Sequence, residues 1–326
     1  MKKLIWIVTA AILVMGALSA CAQKKEGQAD NTKKLKVVTT IFPEYDWVKA
    51  ILGEDGDNAE VTMLLDSGVD LHSYQPTAED IMKIATCDLF IYVGGESDTW
   101  VEDALKEATN KDMKVINLLE VLGSDLKEEE VVEGMQAEEE EEGEEEEPEY
   151  DEHVWLSLSN AITLTEKISE TMQSIDPGHA KGYEENTTGY IEKLKALDGK
   201  YKQVVAEGKQ KTLLFGDRFP FRYLVDDYDL SYYAAFVGCS AESEASFETI
   251  QFLAKKMDEL SLSAVLTIEG KEHKIAETIV KNTKEKNQEI LSMDSMQATT
   301  AEDVEKGTTY LSIMEKNLDV LKEALQ

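Results

Sequence analysis

Short β-branched runs alternate along this chain with stretches of helical spacing. Residues 36–41 are β-branched and read as a buried strand, which ends at Phe42-Pro43. Residues 45–52 then carry apolar positions at helical intervals. Residues 59–65, 89–93 and 114–117 read as three further strands. Residues 81–86 and 99–108 read as helices, the first behind the capping signal Thr77-Ala78-Glu79-Asp80. This alternation predicts a parallel α/β sheet, with ligands beyond the carboxyl ends of its strands.

The helical pattern from 156 to 175 stops at Asp176-Pro177-Gly178. Tyr183, Tyr190, Leu194, Leu197, Tyr201, Val204 and Val205 then keep one helical period, so 179–207 should be a single long helix. After Gly208 the alternation resumes. Strands are predicted at 211–215, 230–236, 264–268 and 289–293, and helices at 247–260, 273–286 and 301–324. The fold class expected is α/β, with two Rossmann-like lobes joined by one long helix. The N-terminal lobe should span 35–177, the linking helix 178–207 and the C-terminal lobe 208–326. No internal sequence repeat stands out.

The first residues change the setting. Met1-Lys2-Lys3 is followed by an apolar stretch over 4–18, too short and too early for a spanning helix. It ends in Leu18-Ser19-Ala20-Cys21, which matches a bacterial lipobox. Residues 1–20 therefore read as a signal peptide, Cys21 as the lipidated residue, and 21–34 as a polar tether. The expected location is extracytoplasmic, lipid-anchored to the bacterial cell membrane. That compartment permits a disulfide between Cys87 and Cys239. Cys87 nevertheless reads as a small core residue, and Cys239 follows Gly238 in a turn.

Charge removes one class of partner. The chain has 66 acids against 33 bases, a formal charge of -33, and so lacks the basic surface that nucleic acid needs. The acids concentrate in a loop over 128–152. Glu138 to Glu142, Glu144 to Glu147, Glu149, Asp151 and Glu152 have no base among them. Such a run cannot bury apolar area and reads as a disordered loop. It is either a solvated spacer or a weak cation collector feeding His153.

Only four histidines are present. Two lie in Asp70-Leu71-His72-Ser73-Tyr74-Gln75-Pro76-Thr77 and Asp151-Glu152-His153-Val154-Trp155-Leu156. A neutral imidazole binds a divalent cation, and a nearby carboxylate can fix its tautomer. Two ligands do not make a site, and the same residues also read as surface histidines flanking acids.

Taken together, the lipobox, the Asp-x-His-Ser-Tyr-x-Pro-Thr segment, the Asp-x-His-Val-Trp-Leu segment and a long helix with Tyr-x2-Asn resemble a known family. It comprises the zinc- and manganese-binding solute-binding lipoproteins of ABC importers, cluster A-I type. The resemblance runs from about Lys36 to the C-terminus. It implies a monomeric, non-enzymatic receptor that holds one transition metal between two lobes and delivers it to an importer permease. It also implies that His72 and His153 are ligands, that Asp294 supplies the C-terminal-lobe carboxylate, and that Glu269 lines the cleft. The family's third ligand falls at Gly216 in Phe215-Gly216-Asp217-Arg218-Phe219, where there is no side chain. Asp217, Cys239, Glu242 and Glu269 are candidates to replace it. Arg218 is expected to neutralise Asp217, and His179 and His273 are not expected to ligate. Zinc is favoured over manganese because it binds imidazole more tightly. The alternative is a secreted zinc-dependent hydrolase with an open His/His/Asp site. No H-E-x-x-H helix supports it.

Overall fold

The computed structural model describes residues 34–54, 56–136, 149–240, 244–270 and 272–326. The leader with Cys21, the run from Glu138 to Glu147, and Glu242 lie outside the described residues.

The first half contains β1 (Leu35–Thr39), α1 (Phe42–Leu52), β2 (Ala59–Met63), α2 (Ala78–Thr86), β3 (Leu89–Tyr92), α3 (Val101–Lys106), β4 (Lys114–Asn117) and α4 (Leu118–Leu122). Two long helices follow, α5 (Leu158–Ile175) and α6 (Ala180–Glu207). The second half contains β5 (Thr212–Phe219), α7 (Arg222–Asp227), β6 (Ser231–Val237), α8 (Phe247–Leu260), β7 (Ala264–Thr267), α9 (Lys274–Asn282), β8 (Glu289–Ser292), α10 (Ala301–Glu305) and α11 (Tyr310–Ala324).

The strands form two four-stranded parallel sheets, ordered β2-β1-β3-β4 and β6-β5-β7-β8. The two orders are the same pattern, so the loop after β2 and the loop after β6 occupy equivalent corners. His72 lies in the first loop and Cys239 in the second. A repeat absent from the sequence is therefore present in the topology.

The predicted helix over 301–324 is in fact two. Gly307 adopts φ 93°, which a side chain resists, and Thr309 caps α11 by accepting from Ser312 N. Likewise α5 begins at Leu158 because Ser157 Oγ accepts from Asn160 N at 3.0 Å. β5 runs on to Phe219, with a register shift between Phe215 and Arg218. α4 and α7 were not anticipated, being too short to show a period.

The long helix α6 buries Tyr183, Tyr190, Ile191, Leu194, Leu197, Tyr201 and Val205 along one stripe. Each such side chain contributes roughly 1.5–3 kcal/mol of burial. The halves are also joined by polar contacts. Trp155, fully buried, donates through Nε1 to Ser295 O at 2.9 Å, and Tyr310 Oη donates to Trp155 O at 2.7 Å.

A buried carboxylate sits at the carboxyl end of β1. Glu44 Oε2 accepts from Thr40 N at 2.8 Å, Thr40 Oγ1 at 3.1 Å and Ile41 N at 3.3 Å, while Oε1 has no hydrogen-bond partner. Burial, followed by the charge of Asp98, pushes the Glu44 carboxyl up to about 8. Between its ordinary value and about 8, the folded chain keeps a proton that the unfolded chain has lost. Stability is therefore present at low pH and falls as pH rises, by up to about 1.4 kcal/mol per pH unit. Glu44→Gln keeps the accepting oxygen and carries no charge. It should be more stable than the parent at pH 8 and lose that advantage at pH 5. Urea melts of both chains across this range check it, and parallel pH profiles would refute it.

Candidate metal centre

Both Asp-x-His segments fold into the same turn. Asp70 Oδ1 accepts from His72 N at 3.0 Å, and Asp151 Oδ1 accepts from His153 N at 2.8 Å. An aspartate that bonds the backbone two residues on bends the chain and fixes the backbone of the histidine that donates to it. The short helical turns Leu71–Ser73 and Val154–Leu156 continue each bend.

The rings then meet. His153 is fully buried, and its Nδ1 lies 3.1 Å from Asp151 Oδ1. His72 Nδ1 lies 2.7 Å from Ser97 Oγ and 3.6 Å from Glu152 Oε2. Each Nδ1 thus has an oxygen behind it, which leaves each Nε2 to bind a cation. The two Nε2 atoms are 3.2 Å apart. Two nitrogens on a tetrahedral zinc, at about 2.0–2.1 Å from the ion, stand about 3.3 Å apart. The spacing fits.

Cys239 brings a third candidate donor atom to the same place. The ligand atoms of His72, His153 and Cys239 all lie within 4.8 Å of one another. Gly238 permits this approach, since a Cβ there would stand 2.9 Å from His153 Cε1. Burial pushes the Cys239 thiol far up, and Glu129 adds to the effect. A metal binding there displaces the thiol proton. Burial, assisted by His153 and Arg218 and opposed by Asp70, lowers His72 to about 3. Burial acts to lower His153, but Asp151, Glu152 and Glu129 together outweigh it and the net shift is upward.

Arg218 bridges the two corners. Its Nη2 is 2.8 Å from Asp70 Oδ2, and its Nη1 is 3.4 Å from Ser240 O. Burial acts to raise the Asp70 carboxyl, but Arg218 overrides it and holds the group below its usual range. Arg218 was expected to neutralise Asp217. Its guanidinium pairs with Asp70 instead, and Asp217 accepts from Arg218 N at 2.9 Å and Ile268 N at 3.4 Å.

The other candidates are placed elsewhere. A Cβ on Gly216 would lie 2.7 Å from Ala276 Cα, so that position faces α9 rather than the histidines. Glu269 accepts from Ser295 N, Ser295 Oγ, Gln297 N and Ala298 N, at 2.6, 2.7, 3.2 and 3.3 Å. Asp294 Oδ1 accepts from Met296 N at 2.8 Å, and burial, followed by Glu269, pushes this carboxyl up to about 6. Neither carboxylate belongs to the His72–His153–Cys239 group. His179 pairs with Asp176 at 2.8 Å, and His273 precedes α9. Cys87 is buried and donates to Ile84 O at 3.2 Å, and both described cysteines are free.

The end of the acidic run at 149–152 is ordered, contrary to the expectation of disorder over 138–152, and it pairs with residues 127–129. Glu128 and Tyr150 form an antiparallel bridge. Glu129 N donates to Glu149 O at 2.9 Å, and Asp151 N to Lys127 O at 2.9 Å. Sequence reading missed Glu129, Ser97 and the Arg218–Asp70 pair. Only the repeated Asp-x-His spacing and the Gly238-Cys239 pair carried a local signal.

Comparison with known proteins identifies the family and the fold. The profile of the family described as zinc-uptake complex component A, periplasmic (ZnuA), matches residues 37–324. Zinc-binding protein AdcA of Streptococcus pyogenes is 31% identical over 328 residues, covering 99% of this chain and 61% of the relative. The chain thus spans under two thirds of the AdcA relatives it matches. The high-affinity zinc uptake system protein ZnuA of Bacillus subtilis is 31% identical over 325 residues, covering 98% of this chain and 97% of that protein. Among solved structures, the Zn(II)-bound ZnuA-like domain of Streptococcus pneumoniae AdcA aligns with TM-score 0.70 at 30% identity, over 90% of this chain and 99% of the other. The metal-dependent lipoprotein YcdH of Bacillus subtilis aligns with TM-score 0.71 at 29% identity, over the same shares.

Proposed function

Because the chain belongs to the periplasmic zinc-uptake component A family, we propose that it captures one zinc ion between its lobes, outside the cytoplasmic membrane. The ion is then handed to the permease of an ABC importer. The observation that carries this reading is the pair of Nε2 atoms 3.2 Å apart, with the Cys239 thiol beside them.

In this reading the fixed turns at Asp70 and Asp151 pre-orient the imidazoles, so little ordering remains when the ion arrives. The His72 side chain is 12% exposed and that of His153 is not exposed at all, so the ion enters from the His72 side. Nitrogen and thiolate donors select zinc over manganese, which prefers oxygen. The acidic run raises the local concentration of cations through a screened field. Lipidation at Cys21 holds the monomeric chain at the membrane. The fourth place on the ion takes a carboxylate. The resemblance offers Asp294 for it, with Glu269 beside it. The relatives carry zinc-binding and zinc-uptake names, which lend nothing to a hydrolase.

Native mass spectrometry of the metal-free protein titrated with zinc and manganese tests this. One zinc should be retained in preference to manganese, without hydrolytic turnover. Retention of manganese over zinc, or no stoichiometric ion, would contradict it.

A further inference from the structure

We propose that Arg218 is the positioning residue of the zinc site, gripping the His72 loop from the second lobe and tying it to the turn that carries Cys239. The proposal rests on the zinc reading above. It concerns a side chain that has no lone pair to give the ion.

The loop after β2 leaves its own sheet early. Leu64 N and Leu65 N still donate to Thr39 O and Thr40 O, at 2.9 and 3.0 Å. From Asp66 to Asp70 the loop is held from the second half of the chain. Ala301 N donates to Asp66 O at 2.7 Å, and Ser67 bridges antiparallel to Thr300. Gly68, at φ 75°, comes so close that a Cβ would stand 3.2 Å from both Ala298 O and Thr300 Cγ2. Asp70 then meets Arg218 of β5, whose Nη2 donates to Asp70 Oδ2 at 2.8 Å.

That last contact reaches both donor turns. Asp70 uses its other oxygen, Oδ1, to accept from His72 N at 3.0 Å. A carboxylate fixed at one oxygen by a guanidinium keeps little freedom at the other. On its second side Arg218 presents Nη1 to Ser240 O at 3.4 Å, one residue past Cys239. Arg218 is itself set by the sheet, where it pairs with Phe236 of β6. One planar fork thus links the turn of His72 to the turn of Cys239. The Arg218 side chain is 20% exposed and that of Asp70 25%, so water screens the pair less than it would a surface pair.

The sign of the effect separates positioning from charge. A guanidinium near a dication repels it, and removing that charge leaves Asp70 negative and unopposed. On charge alone, neutralising Arg218 tightens zinc. Positioning gives the opposite sign. Neutralising Arg218 frees Asp70, loosens the His72 turn and adds an ordering cost when the ion binds.

The test uses Arg218→Met in the full chain, which keeps an unbranched stem and removes the charge and the fork. Zinc competition against a chelator should show a loss of roughly ten- to a hundredfold, the usual effect of removing a group that orients a ligand. In the metal-free chain, hydrogen exchange at the His72 amide should become faster. Arg218→Lys should recover part of the affinity, since an ammonium pairs with Asp70 but cannot span to Ser240 O. Asp70→Asn keeps an oxygen for His72 N and breaks the same pair from the first lobe, so the outcome does not hang on one variant folding. It should reproduce the faster exchange, and the double variant should lose no more than Arg218→Met alone. Zinc bound as tightly or more tightly in Arg218→Met, parent-like exchange at His72, or additive losses in the double variant overturn the role of Arg218 alone. A parent chain that binds no zinc, or binds it equally well after His72→Ala, overturns the zinc reading and this role with it.

Discussion

Replacing His153 with alanine is expected to weaken zinc binding by about two orders of magnitude or more. Structural zinc sites bind with about 10–16 kcal/mol, or roughly 3 kcal/mol for each of four donors, and 1.4 kcal/mol is a decade. His153 is the donor with the least freedom. It is fully buried, Asp151 holds both its backbone and its Nδ1, and its Nε2 is 3.2 Å from that of His72. Water cannot take its place without a cavity opening between Asp151 and Gly238. The loss should therefore exceed that in His72→Ala, where water can enter from outside. Competition titration against a zinc chelator measures both variants. A second readout is thermal: zinc at a hundredfold excess over Kd stabilises the parent by about 2.7 kcal/mol, and His153→Ala should lose most of that shift. Parent-like affinity in both variants would end the proposal of a two-histidine site.

Cys239→Ser should be nearly as damaging and should also change metal preference. The thiol and the serine hydroxyl are similar in size, so the turn after Gly238 is kept. A thiolate forms on a bound zinc at neutral pH, whereas an alcohol at that position stays protonated and binds weakly. A loss of one to two decades in zinc affinity is expected. The manganese affinity, which depends on oxygen donors, should change far less, so the zinc-to-manganese ratio should collapse. Competition titrations with both ions measure the ratio. If it is preserved, Cys239 is a bystander of the core.

Much of this was legible in the sequence, for physical reasons tied to particular residues. The β-branched runs and helical periods located all eight described strands, most plainly the buried central ones β1, β3, β5 and β7, where burial leaves little choice of residue. His72 and His153 were legible because Asp at i-2 is a local device, visible as a spacing. Helices broken or started by single residues, such as Gly307 and Ser157, shifted boundaries by a few positions. The candidate third donor was harder. The family's motif led to Gly216, which has no side chain and faces Ala276 of α9. Cys239 reaches the histidines only because β6 occupies the corner equivalent to β2, a fact of topology. Glu129 meets Cys239 across 110 residues of chain. No local pattern marks it among its acidic neighbours.

The most direct test of the central claim is zinc K-edge X-ray absorption of the chain loaded with one equivalent of zinc. Zinc–sulfur and zinc–nitrogen distances differ by about 0.2–0.3 Å, enough to count them separately. The account predicts one sulfur at about 2.3 Å, with two imidazole nitrogens and one oxygen near 2.0 Å. A shell of nitrogen and oxygen alone, with no sulfur, would contradict it.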